Sequence, residues 1–121
     1  NRTCALRLVG HGAGLRLENR VPGGDVNPYL AVAGIIAAGL DGIKNKLKLE
    51  PAFTGNAYES DSSRLPASMP EALELWEKSE WIKQTFGAEV QAHYANMARV
   101  EIAAYGKAVT DWELFRNFER F

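Results

Sequence analysis

Between Pro28 and Leu47 the chain reads PYLAVAGIIAAGLDGIKNKL, with almost no polar side chain before Asp41. Asn27 stands ahead of Pro28 as an N-cap followed by proline at the first helical position, where a missing N–H costs nothing. The pattern therefore predicts a helix over 28–47. A helix that is apolar around its whole circumference must be buried on most sides, so this one is expected to be central to the fold. Gly34 and Gly39 inside it each cost about 1 kcal/mol against alanine, which is tolerable where small faces pack closely. A chain of 121 residues has room for one domain and a single core. The early turns of this helix are too apolar for so small a chain to cover alone. The apolar run is still shorter than the ~18–20 residues a membrane span needs. With no signal-peptide pattern at the start either, the expectation is no membrane partner and a cytoplasmic location.

Upstream, residues 3–9 (TCALRLV) read as a strand of apolar and β-compatible residues. Residues 15–21 (LRLENRV) read as a second, alternating cleanly between Leu15, Leu17 and Val21 on one face and Arg16, Glu18 and Arg20 on the other. The short connection Gly10-His11-Gly12-Ala13-Gly14 forces the two strands to be antiparallel. A two-stranded hairpin is marginal in water, so further partners are expected from elsewhere.

Downstream, residues 50–66 are dense in Pro, Gly, Ser and Asn and read as a loop. Ser68-Met69-Pro70-Glu71 reads as a capping box opening a helix to about Lys78. Ser79 is expected to cap a short helix ending near Gly87. A longer helix is expected over about 89–107, with Val90, Tyr94, Met97 and Val100 near helical spacing. Thr110-Asp111-Trp112-Glu113 reads as a second capping box. The fold class is α+β: one unit spanning 1–121, with a short antiparallel hairpin and then four to five helices over 28–121.

The charged face of the second strand carries the most chemical information. Side chains two apart on a strand project the same way, so Arg16, Glu18 and Arg20 form a row about 13 Å long. Arg7 joins it if the register allows. Arginines on rigid strands suit phosphate, because the guanidinium is a fixed bidentate fork that keeps its charge. A carboxylate among them suits Mg²⁺ or Mn²⁺, which takes one or two protein oxygens together with nucleotide phosphates. These are parts for phosphoryl transfer, where catalysis is mostly positioning and charge neutralisation. An Arg–Glu–Arg ladder on a solvated sheet face is the competing structural reading.

Other features are weaker. The glycine-rich connection lacks the spacing of a dinucleotide fingerprint or a P-loop. His11 and His93 have no second metal-binding residue at helical or turn spacing, and Cys4, the single cysteine, reads as a small buried hydrophobe. Trp76, Trp81, Trp112, Phe115, Phe118 and Phe121 read as packing residues, with the phenylalanine-rich tail alternatively docking on another subunit. A formal net charge of −1 argues against nucleic acid as a partner.

Asn1-Arg2-Thr3, Arg7, Arg16-Leu17-Glu18-Asn19-Arg20, Asn27-Pro28-Tyr29-Leu30 and Ala37-Ala38-Gly39-Leu40-Asp41-Gly42-Ile43, in that order, resemble the C-terminal signature of glutamine synthetases. The resemblance covers the first third of the chain in motif and the rest in helical character. It implies a C-terminal piece of that family's catalytic domain, and an enzyme that phosphorylates the γ-carboxylate of glutamate with ATP before ammonia or an amine displaces the phosphate. By the same resemblance Arg2, Arg7 and Arg16 face ATP, Glu18 is a ligand to Mg²⁺ or Mn²⁺, and Arg20 lies over the γ-carboxylate and the phosphoryl group.

Two departures bear on the acceptor. Val21-Pro22-Gly23-Gly24-Asp25 stands where glutamine synthetases usually have Phe-Pro-Asp. The ending around 109–113 and 118–121 looks more like the γ-glutamyl-amine ligase branches, such as γ-glutamylputrescine synthetase. The family's remaining metal ligands, its ammonium site and its glutamate loop lie upstream of the matched motifs. The expectation is a fragment that is inactive alone and works with the rest of the catalytic domain and an N-terminal domain in a ring of identical subunits. A non-catalytic anion-binding or assembly module reusing the fold is the alternative.

Overall fold

The computed structural model describes residues 1–120. It has the α+β content read from the sequence, a two-stranded antiparallel hairpin and five α-helices. These fall into two compact units, Asn1–Ser63 and the remainder from Arg64.

In the first unit β1 (Leu6–Val9) pairs with β2 (Arg16–Asn19), each shorter than the sequence pattern suggests. The pairing continues one step further through Arg20 N–H donating to the Ala5 carbonyl at 2.8 Å. The connection closes with a single 3₁₀ turn at Gly12–Gly14. Gly10 takes φ +89°, and a Cβ there would lie 2.1 Å from the Gly14 carbonyl oxygen. Only glycine permits so close a return of the backbone.

Helix α1 (Pro28–Lys44) starts as expected, with Asn27 Oδ1 accepting from the N–H groups of Tyr29 (3.0 Å) and Leu30 (3.2 Å). It stops three residues short of Leu47. The Asn45 N–H bonds the Asp41 carbonyl, and Lys46 turns into the left-handed region at φ 51°. Central burial was the expectation for this helix, but none of its residues is fully buried, and Ile43 is 76% exposed. The half-buried positions Leu30, Ala31, Gly34, Ala37, Asp41 and Gly42 recur at helical spacing, marking one face made mostly of small residues. The loop after α1 contains one 3₁₀ turn, Ala57–Glu59, capped by Asn56.

The second unit holds α2 (Met69–Lys78), α3 (Glu80–Phe86), α4 (Ala88–Tyr105) and α5 (Asp111–Asn117). Both α2 and α3 pack on α4. Ala95 on α4, 3% exposed, is the one fully buried hydrophobic residue among those described. Around it Trp76 meets Phe86 and Tyr94 with ring centroids 6.4 and 6.1 Å apart, and Trp81 meets Phe86 edge-on at 6.3 Å. These spacings lie in the favourable range for offset and edge-to-face pairs.

Ser79 both ends α2 and caps α3, its hydroxyl accepting from the Ile82 N–H at 3.2 Å. The capping box at Thr110–Glu113 is complete. The one at Ser68 is half formed: Glu71 reaches past the cap to accept from the Ala67 N–H. Trp112, Phe115 and Phe118 do not pack as the sequence reading has it. All three are exposed, Phe115 at 86%, while Phe121 lies outside the described residues.

Candidate functional site

The register of the hairpin decides which charges meet. Arg7 lies opposite Glu18 and Val9 opposite Arg16, while Leu6 and Leu8 fall opposite Asn19 and Leu17. Directly paired residues of an antiparallel ladder point to the same face. Arg7, Arg16, Glu18 and Arg20 therefore share one face, and Leu6, Leu8 and Leu17 share the other. Both faces were foreseeable from alternation, but the alignment of Arg7 with Glu18 was not.

Glu18 sits between two arginines. Arg7 Nη1 donates to Oε2 at 2.8 Å, and Arg20 Nη1 donates to Oε1 at 2.8 Å. Arg20's hydrogen bond is the largest cause holding the Glu18 carboxyl below the ordinary carboxylate value of 4.5; desolvation opposes it, and Arg7's hydrogen bond and the two guanidinium charges add to the lowering. The carboxylate is thus ionised throughout the neutral range. Arg7 is the more enclosed arginine, its side chain 18% exposed, and its Nε has no hydrogen-bond partner.

Arg16 and Arg2 stand apart from this cluster. Arg16 shares the face but turns its Nη1 to the Gly14 carbonyl at 3.2 Å. Arg2 precedes β1, is exposed, and makes no hydrogen bond or ion pair within the described residues. Of the five residues singled out from the sequence, the fold gathers Arg7, Glu18 and Arg20, leaving Arg16 beside the connection and Arg2 ahead of the first strand.

Divalent-ion chemistry can be tested against the donor set. Among the described residues no three His, Cys, Asp or Glu side chains gather as a metal site. Glu18 therefore fits Mg²⁺ or Mn²⁺ as one oxygen ligand among several, the manner in which Mg²⁺ is ordinarily held beside phosphates, and not as a closed site of this chain. The arginines fit phosphate oxygens directly.

Sequence reasoning missed two polar clusters. Gln91, on α4, donates from Nε2 to the carbonyls of Trp76 (2.8 Å), Ser79 (3.1 Å) and Glu77 (3.2 Å), while Trp76 Nε1 donates back to the Gln91 carbonyl at 2.9 Å. Asn1 and Thr3 bond to the loop around Gly55 and Ala57, more than fifty residues away. Neither pairing has a periodic signature, because each joins residues distant in sequence.

Comparison with known proteins places these features. Residues 1–117 match the family described as glutamine synthetase, catalytic domain. The gamma-glutamylethanolamide synthetase of Streptomyces coelicolor is 63% identical over 120 residues, covering 99% of this chain and 26% of that protein. The type-1 glutamine synthetase 2 of Dictyostelium discoideum is 41% identical over 124 residues, covering 98% of this chain and 24% of that one. The glutamate–isopropylamine ligase of a Pseudomonas species is 41% identical over 123 residues, covering 98% and 27%. The chain spans about a quarter of the length of these relatives. With its signature residues on the paired strands, and a family match running nearly its full length, the chain belongs to the glutamine synthetase family and corresponds to part of its catalytic domain.

Proposed function

We propose that this chain is part of an ATP-dependent ligase that activates the γ-carboxylate of glutamate as an acyl phosphate and joins it to an organic amine. The observation that carries the reading is the Arg7–Glu18–Arg20 cluster, one ionised carboxylate held at 2.8 Å by an arginine on each side. Organic amines are favoured over ammonia as the acceptor by two relatives, a gamma-glutamylethanolamide synthetase and a glutamate–isopropylamine ligase. The Val21–Asp25 segment, where the family's usual motif is altered, points the same way.

In this reading ATP supplies the phosphoryl group, and a divalent ion bound with it spreads the charge of the phosphates. The chain's own residues do the positioning. Arg7, anchored to Glu18 through Nη1, offers a fixed cation to phosphate oxygens. Glu18 supplies one oxygen toward the ion. Arg20, at the exposed end of the cluster, meets the charge that develops as the phosphoryl group leaves ATP for the γ-carboxylate. Such preorganised charge is worth most where it is held rigid before the reaction. Arg16 and Arg2 add positive charge on the nucleotide side. The exposed leucine face of the hairpin and the exposed sides of α1 pack against the remainder of the catalytic domain, and the site is completed in an assembly of identical subunits.

The deciding measurement is phosphate release by the whole protein with Mg-ATP and glutamate, across ammonia and a panel of mono-, di- and polyamines and ethanolamine. Turnover with an organic amine well above that with ammonia is the expected result. Preference for ammonia would make this an ordinary glutamine synthetase with a variant turn. Silence with every acceptor would favour a non-catalytic anion-binding or assembly role.

A further inference from the structure

Arg2 lies between two residues whose side chains are committed elsewhere. Asn1 Oδ1 accepts from the Thr3 N–H at 3.0 Å and from Thr3 Oγ1 at 2.7 Å. Thr3 Oγ1 in turn accepts from the Ala57 N–H at 2.9 Å, and Asn1 Nδ2 donates to the Gly55 carbonyl at 2.7 Å. Gly55 has φ +99°, the left-handed region that glycine tolerates, at the point where its carbonyl meets Asn1. These bonds tie the segment before β1 to a loop 54 residues further along the chain.

The arrangement has a mechanical consequence. A charged side chain on an untethered segment ahead of a strand samples many positions, and fixing its backbone costs conformational entropy. Here the ordering is supplied by the fold, through residues on both sides of Arg2, while Arg2 stays exposed and makes no hydrogen bond or ion pair among the described residues. We propose that Asn1 and Thr3 are positioning residues: they clamp the Arg2 backbone to the 55–57 loop so that its guanidinium is presented to the phosphates of ATP. The inference rests on the ligase reading and extends it, giving a role to the loop between α1 and α2 that the arginine–glutamate cluster does not use. Thr3 acts through its hydroxyl, which both donates and accepts, so a valine of the same shape breaks the clamp at the Ala57 N–H.

The test compares Thr3→Val and Thr3→Ser with the unaltered whole protein, in phosphate release with Mg-ATP, glutamate and its best amine. Thr3→Val is expected to raise the KM for ATP roughly five- to tenfold, as the loss of one or two hydrogen bonds implies. The KM for glutamate and the melting temperature should stay near their original values, and Thr3→Ser should restore the ATP KM. If Thr3→Val leaves the ATP KM unchanged while the unaltered protein turns over, the clamp has no positioning role and the ligase reading stands. Equal rises in both KM values, or no rescue by serine, would mark a structural defect and overturn the proposal. An unaltered protein silent with every acceptor removes the ligase reading and this inference together.

Discussion

Glu18 is held by its neighbours more tightly than its half-buried position on a two-stranded sheet suggests, because each of its oxygens faces a different guanidinium. With its proton affinity lowered in the fold, the pairing is fully present above the ordinary carboxylate range and is lost as pH falls through the lowered value. Arg20's hydrogen bond is the largest cause, so Arg20→Gln is expected to move the Glu18 titration midpoint upward; carboxyl ¹³C shifts followed against pH read this directly, and an unmoved midpoint would mean that the bond does not persist in solution. Glu18→Gln keeps the shape and removes the charge. It should cut metal-dependent phosphoryl transfer by the whole protein about a hundredfold or more, the scale of losing one preorganised charge at a reacting centre, with melting little changed; retained turnover with normal metal dependence would end the proposed role. Gly10 is a different kind of residue. Gly10→Ala sets a methyl 2.1 Å from the Gly14 carbonyl oxygen, which is backbone and cannot yield, whereas a Cβ at Gly14 meets nothing within 4 Å. The expected cost is about 1–3 kcal/mol for Gly10→Ala and near zero for Gly14→Ala, compared by thermal melting.

Among the elements, α2 and α3 illustrate how a helix end is closed when no glycine ends it. The chain passes from one helix into the next through Ser79 alone, whose N–H reaches only the Trp76 carbonyl, at 3.4 Å, so the last turn of α2 has room for a donor from outside the helix. Gln91 supplies it from α4, and the Trp76 indole returns a bond to the same residue. Gln91→Leu removes the amide from three carbonyls, of which Trp76's keeps the Ser79 N–H and Ser79's keeps the Lys83 N–H, and should destabilise the chain by about 0.5–1.5 kcal/mol, read as a lowered melting temperature; an unchanged value would mean that water replaces the amide at no cost. Glu77 of the same helix also pairs with Arg99 on α4. At the other end of the unit the capping box of α5 is complete, and Thr110 holds the Glu113 carboxyl below its usual range through its N–H first and its hydroxyl second. Lys78 similarly lowers Glu74, one turn earlier on α2.

Taken whole, the described residues leave many large apolar side chains exposed and bury one hydrophobic residue fully, Ala95. The leucines of the hairpin, much of α1, and Trp112, Phe115 and Phe118 on and after α5 are exposed, an extent of apolar surface that monomeric soluble proteins rarely present. No helix among the described residues is long and apolar enough to cross a membrane. The 121 residues alone are therefore expected to self-associate and to release no phosphate from ATP with glutamate and amine. Sedimentation of the isolated chain beside the phosphate assay checks both; a monomer with ligase turnover would contradict the proposed dependence on the rest of the catalytic domain.

The sequence by itself determined most of the elements and the family. Alternation placed the arginines and Glu18 on one strand face, Asn27-Pro28 started α1, Ser79 and the Thr110 box started α3 and α5, and the ordered motifs carried the family resemblance. All of these act within a few residues, where spacing translates directly into geometry. Strand ends, the early stop of α1 at Lys44 and the exposure of Phe115 were less legible, since they depend on what lies nearby in space. Only the tertiary structure decided that Arg7 faces Glu18, that Arg16 turns away to Gly14, that Gln91 closes α2, and that Asn1 and Thr3 hold the loop at Gly55 and Ala57. Each is a pairing between residues apart in sequence, fixed by strand register or chain return. A one-residue slip of that register would send Arg7 to the opposite face from Glu18, and strand alternation alone does not forbid it; the turn over residues 10–14 sets the register.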